Sequence, residues 1–160
     1  MYSTRNDLPL AVRTSVSQLL NARLADGIDL MLQAKHAHWN VRGQNFLSLH
    51  ELFDEHAEKI EEFVDAIAER AAALGSLAEG TARVAAKRST LDEYPLDVSQ
   101  GREHVDALSA ATAQFGKLAR TAIDEATRLQ DADTADLFTE ISRATDKLLW
   151  MLEVHLADSR

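Results

Sequence analysis

Two pairs of metal-binding side chains stand at helical spacing near the middle of the sequence. His50 and Asp54 are four residues apart, and so are Asp65 and Glu69. At about 100° per residue, the last three fall about 40°, 60° and 100° from His50, so all four share one face of one helix. A mixed set of imidazole and carboxylate ligands favours Fe²⁺ or Zn²⁺. The spacing therefore indicates metal chemistry on this face.

The rise of an α-helix prevents these four side chains from forming one site within one chain. His50 and Glu69 are separated by about 28 Å along the axis, whereas metal–ligand bonds are only about 2.0–2.2 Å long. Either the two pairs act separately, or they meet across two chains. A two-fold axis near Lys59 and Ile60 would bring the first pair of one chain against the second pair of the other. Such an interface is isologous, so it creates two identical sites.

The same face has an ordinary alternative, because carboxylates are common on solvated helices. Glu58 and Glu61 lie on it as well. His38, at the end of the preceding predicted helix, adds a fifth potential ligand and strengthens the metal interpretation. None of the six histidines has a glutamate three residues before it, which disfavours the Glu-x-x-His di-iron core that other helical bundles hold inside one subunit.

Composition limits the class of protein. The chain has 160 residues, 46% of them hydrophobic, with 2 prolines, 6 glycines and no cysteine. This favours one helical domain over residues 1–160 with a short N-terminal tail, 1–7, and it excludes disulfides and thiolate metal sites. Neither an apolar signal core nor a membrane-spanning run is present, so a soluble cytoplasmic protein is expected. The net charge of −9 argues against nucleic acid as the main ligand.

Helical periodicity predicts four long helices. They run over residues 8–37, 45–74, from after Asp97 to about 129, and onward from Asp133. Asp7, Asp97 and Asp133 are the predicted N-caps, and Gly75 is the predicted C′ residue of the second helix. The turn between the first two helices is centred on Gly43.

The connection between the second and third long helices is unusually long. It covers residues 75–97 and contains a predicted short helix at 81–87. Four long helices with one such crossover predict an all-α fold of the ferritin-like four-helix bundle type, with a long B–C crossover containing a short helix.

Four stretches of the sequence resemble a known family. His38-Trp39-Asn40-Val41-Arg42-Gly43, followed five residues later by Leu49-His50-x-x-x-Asp54, is similar to the signature of the Dps family of mini-ferritins. Asp65-x-x-x-Glu69-Arg70 and Asp146-Lys147-Leu148-Leu149-Trp150 resemble its other marked stretches. The resemblance extends from about residue 28 to 156. It implies hollow homododecamers of four-helix subunits with iron-oxidising sites at the two-fold interfaces.

The resemblance also implies an activity and a ligand set. Fe(II) would be oxidised, preferably by hydrogen peroxide, and the ferric product stored in the cavity as protection against oxidative stress. His38, His50 and Asp54 of one subunit would act with Asp65 and Glu69 of its neighbour, and Zn²⁺ is a substitute occupant. Which ligand bridges the irons stays open, as does the preference for peroxide over oxygen.

Three further acids and one tryptophan have two interpretations each. Asp131, Asp136 and Glu140 stand where the family lines its three-fold pores with acid, and three copies would focus cations. The alternative is ordinary capping of the last helix by Asp133, with Asp136 in its first turn. Trp39 adjoins His38 and could take up stray oxidising equivalents, or it could simply pack at an interface.

The chain departs from the family in one respect that concerns DNA. Many members bind DNA through a lysine-rich N-terminal tail, whereas residues 1–7 here contain only one basic residue, Arg5. We therefore expect weak or absent DNA binding. The alternative function is a mainly structural protein that binds DNA and compacts the nucleoid, with nucleoid association in place of a free cytoplasmic location.

Overall fold

The computed structural model describes residues 1–157 as a bundle of four long helices with one short helix in the crossover. The helices are α1 (Leu10–Asn40), α2 (Phe46–Ala73), α3 (Ala82–Arg88), α4 (Gly101–Arg128) and α5 (Ala132–Glu153). Helices α1 and α2 pack as one hairpin and α4 and α5 as the other, and α3 lies against α1. The predicted all-α, ferritin-like fold is confirmed. No helix within the described residues is long and apolar enough to span a membrane.

Helix α1 is covered on more than one side, which explains its weak amphipathic pattern. It packs on α2, on α4 and on the crossover. At its middle, a Cβ on Gly27 would lie 3.1 Å from Cγ2 of Val64. That contact is tight, so glycine lets α1 and α2 approach closely at this level. The interruption that Gly27 introduces into the apolar pattern therefore serves the packing of the hairpin.

Buried polar side chains of α1 hold the crossover in place. Asp26 is fully buried and accepts hydrogen bonds from the backbone N–H of Thr90 (2.7 Å) and from its hydroxyl (3.0 Å). Asn21 donates to the carbonyl of Leu77 (3.0 Å) and accepts from the N–H of Glu79 (2.8 Å). Because buried backbone groups need partners, these side chains supply them where the crossover has no regular structure.

All three predicted N-caps, Asp7, Asp97 and Asp133, are wrong. Asp97 lies in a turn and does not cap α4, because the helix begins only after Gln100, which is extended, and Arg42 donates its N–H to the carbonyl of Ser99 (3.1 Å) just before it. Gln100 is the N-cap and forms a capping box with Glu103. Asp7 does not cap α1, which begins after Pro9. At the other end of the hairpin, Gly75 has φ +81° and ends α2 as predicted.

The start of α5 is fixed by Asp131 and not by Asp133. Asp131 is buried, caps the helix by accepting from the N–H of Thr134 (3.1 Å), and pairs with Nη2 of Arg70 at 2.7 Å. Burial raises the pKa of the Asp131 carboxyl, but the bonds from Thr134 and Arg70 outweigh it and the pKa is lowered. The ion pair joins the end of α2 to the turn between α4 and α5.

Replacing Asp131 by alanine should destabilise the fold by about 2–4 kcal/mol. About 1 kcal/mol comes from the lost N-cap and about 1–3 kcal/mol from leaving the Arg70 guanidinium without its buried partner. Urea unfolding at matched protein concentration measures the change. Asp133→Ala is the matched control, because its side chain is 83% exposed, and it should change stability by no more than about 0.5 kcal/mol. Equal effects of the two substitutions would contradict the assignment of the cap.

Candidate metal centre

Two histidines are locked together where α1 ends and α2 begins. The rings of His38 and His50 stack with their centroids 3.7 Å apart and an interplanar angle of 21°. Nδ1 of His38 lies 2.8 Å from the carbonyl oxygen of His50, and Nδ1 of His50 lies 2.8 Å from the carbonyl oxygen of His38. The two side chains thus fix each other through a reciprocal pair of hydrogen bonds.

The backbone explains why the carbonyl of His38 is available. Continued helix would give it the N–H of Arg42 as a partner, but that N–H donates to the carbonyl of Ser99. The last carbonyls of a helix need partners from elsewhere. The imidazole of His50 satisfies this one. His50, one of the predicted metal ligands, therefore also satisfies a backbone carbonyl at the end of α1.

These hydrogen bonds determine which ring nitrogens can bind a cation. A carbonyl oxygen only accepts, so each Nδ1 must carry the proton and donate it. Each Nε2 is then left with a free lone pair, which is the form of histidine that binds metals. A hydrogen bond from the second ring nitrogen to a carbonyl is also the usual way in which proteins orient such ligands.

Asp54 lies beside the histidine pair, but it already holds a cation. Its Oδ1 is 2.5 Å from Nζ of Lys35 and 3.8 Å from Nδ1 of His38. The hydrogen bond from Lys35 lowers the pKa of the Asp54 carboxyl, against a smaller opposing effect of desolvation, so the group is an ionised carboxylate at neutral pH. The sequence analysis missed Lys35. Its position one helical turn before His38 is the signal that could have indicated it.

The second predicted pair is not brought to the first within one chain. Asp65 and Glu69 are both exposed and lie further along α2, with Asp65 about 16 Å along the axis from Asp54. Asp65 lines an open groove of about 700 Å³ between α1, α2 and the segment before α3, together with Glu58, Glu61 and Glu62. Among residues 1–157 of a single chain, no group of three or more His, Asp or Glu side chains is arranged to hold a metal ion.

The remaining predicted site residues have mixed environments. Asp131 is committed to Arg70 and to the cap of α5, and it is only 2% exposed, so its carboxylate does not face solvent in the described chain. Asp136 and Glu140 are exposed on α5. Of the three acids predicted to line a pore, these two are therefore the ones exposed on the described chain. Trp39 is 65% exposed, and both of its interpretations stay open.

The protein is similar in sequence to known proteins along nearly its whole length. The ferritin-like domain family matches residues 17–160. The DNA protection during starvation protein of Agrobacterium fabrum is 39% identical over 157 residues, covering 98% of this chain and 97% of that protein. Its counterpart in Mycolicibacterium smegmatis is 32% identical over 145 residues, covering 89% and 78% respectively.

Solved structures agree with the sequence relatives. The Dps of Mycobacterium smegmatis in its tetragonal form superposes with a TM-score of 0.92 at 30% identity, covering 99% of this chain and 96% of that chain. DpsC from Streptomyces coelicolor gives a TM-score of 0.93 at 30% identity, covering 99% and 92%. With the histidine pair at the α1–α2 turn, the family match and these superpositions, the chain belongs to the Dps family of ferritin-like proteins.

Proposed function

We propose that this protein oxidises Fe(II) with hydrogen peroxide at centres shared by two chains and stores the ferric product inside a hollow homododecamer in the cytoplasm. The observation that carries the proposal is the locked pair of His38 and His50, which presents two Nε2 lone pairs beside the ionised carboxylate of Asp54. Family membership and the names of the relatives support a role in protection, and the ligand chemistry supports iron as the substrate.

Two irons held together account for protection. Reducing one molecule of hydrogen peroxide to two hydroxide ions takes two electrons, and two Fe(II) ions supply them while becoming two Fe(III) ions. A site with a single iron supplies only one electron, which cleaves the O–O bond to hydroxide and a hydroxyl radical. Holding two irons at one site therefore removes both reactants without releasing the radical.

The ligands divide between two copies of the chain. His38, His50 and Asp54 would hold or recruit one iron, and Asp65 and Glu69 of a second copy would anchor the tighter one, with Zn²⁺ as a substitute occupant. The rise of α2 is the main support, because it separates these groups within one chain. Harder carboxylate ligands and softer imidazoles in one site are compatible with both oxidation states of iron.

The surface beside the histidine pair supports an assembled state. Phe46 packs against the ring of His50 with centroids 5.2 Å apart and is still 47% exposed. Leu47 and Trp39 are 62% and 65% exposed. Large apolar side chains grouped in this way on a monomer mark an interaction surface. A second copy that covers them would also bring its own carboxylates to the half-site.

Complementation between two inactive variants tests the shared centre. Variant X carries His50→Ala and Asp54→Ala, and variant Y carries Asp65→Ala and Glu69→Ala. Each alone should lose nearly all peroxide-driven Fe(II) oxidation. In a mixed dimer, one site carries all four substitutions and the other has all its ligands. Random co-assembly makes about half of the dimers mixed, so about a quarter of all sites should be restored.

The measurement is Fe(II) oxidation by co-expressed, co-purified shells, with native mass confirming both the mixing and a particle of twelve subunits. Each variant purified alone is the control for background oxidation. If mixed shells are no more active than either variant alone, the ligands do not act across two chains and the proposed centre is wrong.

Replacing Lys35 by glutamine should strengthen binding of the iron next to Asp54. The ammonium group must leave the carboxylate before a metal ion can use it, and a partly exposed ion pair of this kind contributes at most about 1 kcal/mol. We therefore expect affinity for Fe(II) to rise by up to about fivefold in anaerobic calorimetric titration. Lys117→Gln, on an exposed position of α4, is the matched control. A fall in affinity would show instead that Lys35 holds Asp54 in its binding orientation.

The relatives' names raise DNA binding as a second candidate function, and charge decides how strong it is here. Twelve copies at −9 each carry −108, and a shell of that charge repels a phosphate backbone except at local basic patches. We propose that binding is weak or absent at physiological salt. A gel-shift titration of linear duplex DNA at low and physiological salt measures it, with a form bearing an added lysine-rich N-terminal tail as positive control. A strong shift by the unmodified protein at physiological salt would favour the nucleoid-compacting function.

A further inference from the structure

A tyrosine of the crossover is hydrogen-bonded to a buried histidine of α4, and ring contacts join this pair to the two helices that carry the candidate metal centre. The hydroxyl of Tyr94 lies 2.7 Å from Nδ1 of His104, which belongs to α4 and has no exposed surface. The two rings stack with centroids 6.0 Å apart and an interplanar angle of 21°. Tyr94 itself is half-buried, and the sequence contains only one other tyrosine, Tyr2.

Two further rings connect this pair to the helices that carry the half-site. His36 meets the edge of Tyr94 at 5.1 Å between centroids, and it lies two residues before His38 on α1. Phe53 meets His104 at 6.4 Å, and it directly precedes Asp54 on α2. We call these four rings, His36, Phe53, Tyr94 and His104, the Tyr94 cluster. The Tyr94 cluster therefore contacts α1 two residues from His38 and α2 one residue from Asp54, and it places the phenol against the two helices that carry the half-site.

The protonation states suit the loss of an electron together with a proton. Burial raises the pKa of Tyr94 well above its usual range, so the phenol keeps its proton. Burial lowers the pKa of His104, and the neighbouring His36 adds to the effect, so that imidazole is neutral at pH 7. An oxidised phenol is a strong acid. A neutral imidazole nitrogen at hydrogen-bond distance is a ready acceptor for the proton it releases.

We propose that Tyr94 and His104 form a built-in electron donor that supplies the second electron when peroxide meets a centre holding only one Fe(II). This inference rests on the proposed iron oxidation and adds a further redox site to it. The donor would act when a centre holds only one Fe(II), which is the state in which the two-iron mechanism gives no protection.

The step balances in atoms and charge. One Fe(II) gives one electron and becomes Fe(III), and Tyr94 gives the other while its phenolic proton moves to Nδ1 of His104. The O–O bond breaks, and hydrogen peroxide becomes two hydroxide ions. The products on the protein are a neutral tyrosyl radical and a protonated imidazole. The next Fe(II) to arrive can return an electron to the radical, the proton moves back, and the pair is restored.

Tyr94 is better suited to this task than Trp39. Trp39 adjoins His38, but no hydrogen bond involving its indole N–H is among those of the described residues, so a single chain offers no fixed acceptor for its proton. Tyr94 is half-buried and has a fixed proton acceptor. The alternative for the Tyr94–His104 bond is a purely structural tether of the crossover to α4, and the experiment must separate the two.

The experiment uses the assembled protein loaded with sub-stoichiometric Fe(II) and mixed with hydrogen peroxide. Freeze-quenched samples are examined by electron paramagnetic resonance, with unlabelled and ring-deuterated tyrosine. We expect a radical whose hyperfine pattern narrows on tyrosine deuteration. The signal should be lost in Tyr94→Phe, which keeps the ring and removes only the hydroxyl, and retained in the matched control Tyr2→Phe. Spin-trapped hydroxyl radical should rise several-fold in Tyr94→Phe and stay at the wild-type level in Tyr2→Phe.

Two further variants complete the test. Trp39→Phe should leave the tyrosyl signal in place. His104→Gln keeps an acceptor oxygen near the phenol, but an amide cannot take up the phenolic proton. The tyrosyl signal should therefore be weak or short-lived in this variant. Its melting temperature should be close to that of Tyr94→Phe. If the Tyr94–His104 bond only tethers the crossover, Tyr94→Phe and His104→Gln should both lower the melting temperature, and the wild-type protein should show no tyrosyl radical.

Each outcome bears on a different proposal. A tyrosyl signal that persists in Tyr94→Phe, or no tyrosyl signal in a wild-type protein that oxidises Fe(II) with peroxide at full loading, overturns the role of Tyr94 and leaves the proposed function standing. Absence of peroxide-driven oxidation at full loading in the wild type overturns the proposed function and, with it, this inference.

Discussion

The reciprocal hydrogen bonds between His38 and His50 are the interaction on which the candidate centre depends. They close the end of α1, tie it to the first turns of α2, and engage the Nδ1 atom of both imidazoles. The arrangement is possible because Arg42 turns its N–H to Ser99, which leaves the carbonyl of His38 without its helical partner. The contact of Arg42 with the chain just before α4 therefore has a direct effect on the half-site. The backbone at this turn therefore determines which ring nitrogens of His38 and His50 take part in hydrogen bonds.

Polar residues at two levels of α1 have different contacts, those near its middle with the crossover and those near its end with α2. Asp26 and Asn21 are buried on α1, where they satisfy the irregular backbone of the crossover. That crossover carries Tyr94 back to α4 and places it on His104. Further along α1, Lys35 and His38 reach Asp54 of α2. The long connection is thus held in a fixed position relative to the half-site, which is more than a bundle needs to link two helices.

Much of the fold could be predicted from the sequence, because long helices carry strong periodic signals. The four long helices, the short helix in the crossover, the turn at Gly43 and the end of α2 at Gly75 are all confirmed. The starts of α4 and α5 were wrong because Asp97 and Asp133 have suitable side chains but no role in the backbone around them. Gln100 and Asp131 cap instead, since a bridge to Arg42 and an ion pair to Arg70 fix the chain there. Contacts between distant segments decide such details, and a single sequence does not contain them in readable form.

For the candidate site, the residue types of the ligands could be predicted from the sequence, but their hydrogen bonds and ion pairs could not. Spacing on one helix face grouped His50 with Asp54, yet it could not show that Lys35 neutralises that carboxylate or that a histidine ring caps a neighbouring helix. Tyr94 and His104 were not singled out, because a crossover residue and a core histidine acquire a joint role only after the chain returns to the bundle.

The placement of the two carboxylate-bearing pairs on a single helix has a consequence for how this chain can change over evolution. In the proposed two-chain centre, α2 sets both the distance and the rotation between the pair at positions 50 and 54 and the pair at positions 65 and 69. One inserted or deleted residue between Asp54 and Asp65 would turn the second pair by about 100° and shift it by about 1.5 Å, so the two-fold related groups would no longer meet. The crossover has no such restriction, since loops tolerate changes in length at small entropic cost. Insertions and deletions among descendants of this sequence should therefore accumulate between α2 and α4 and be purged from the middle of α2.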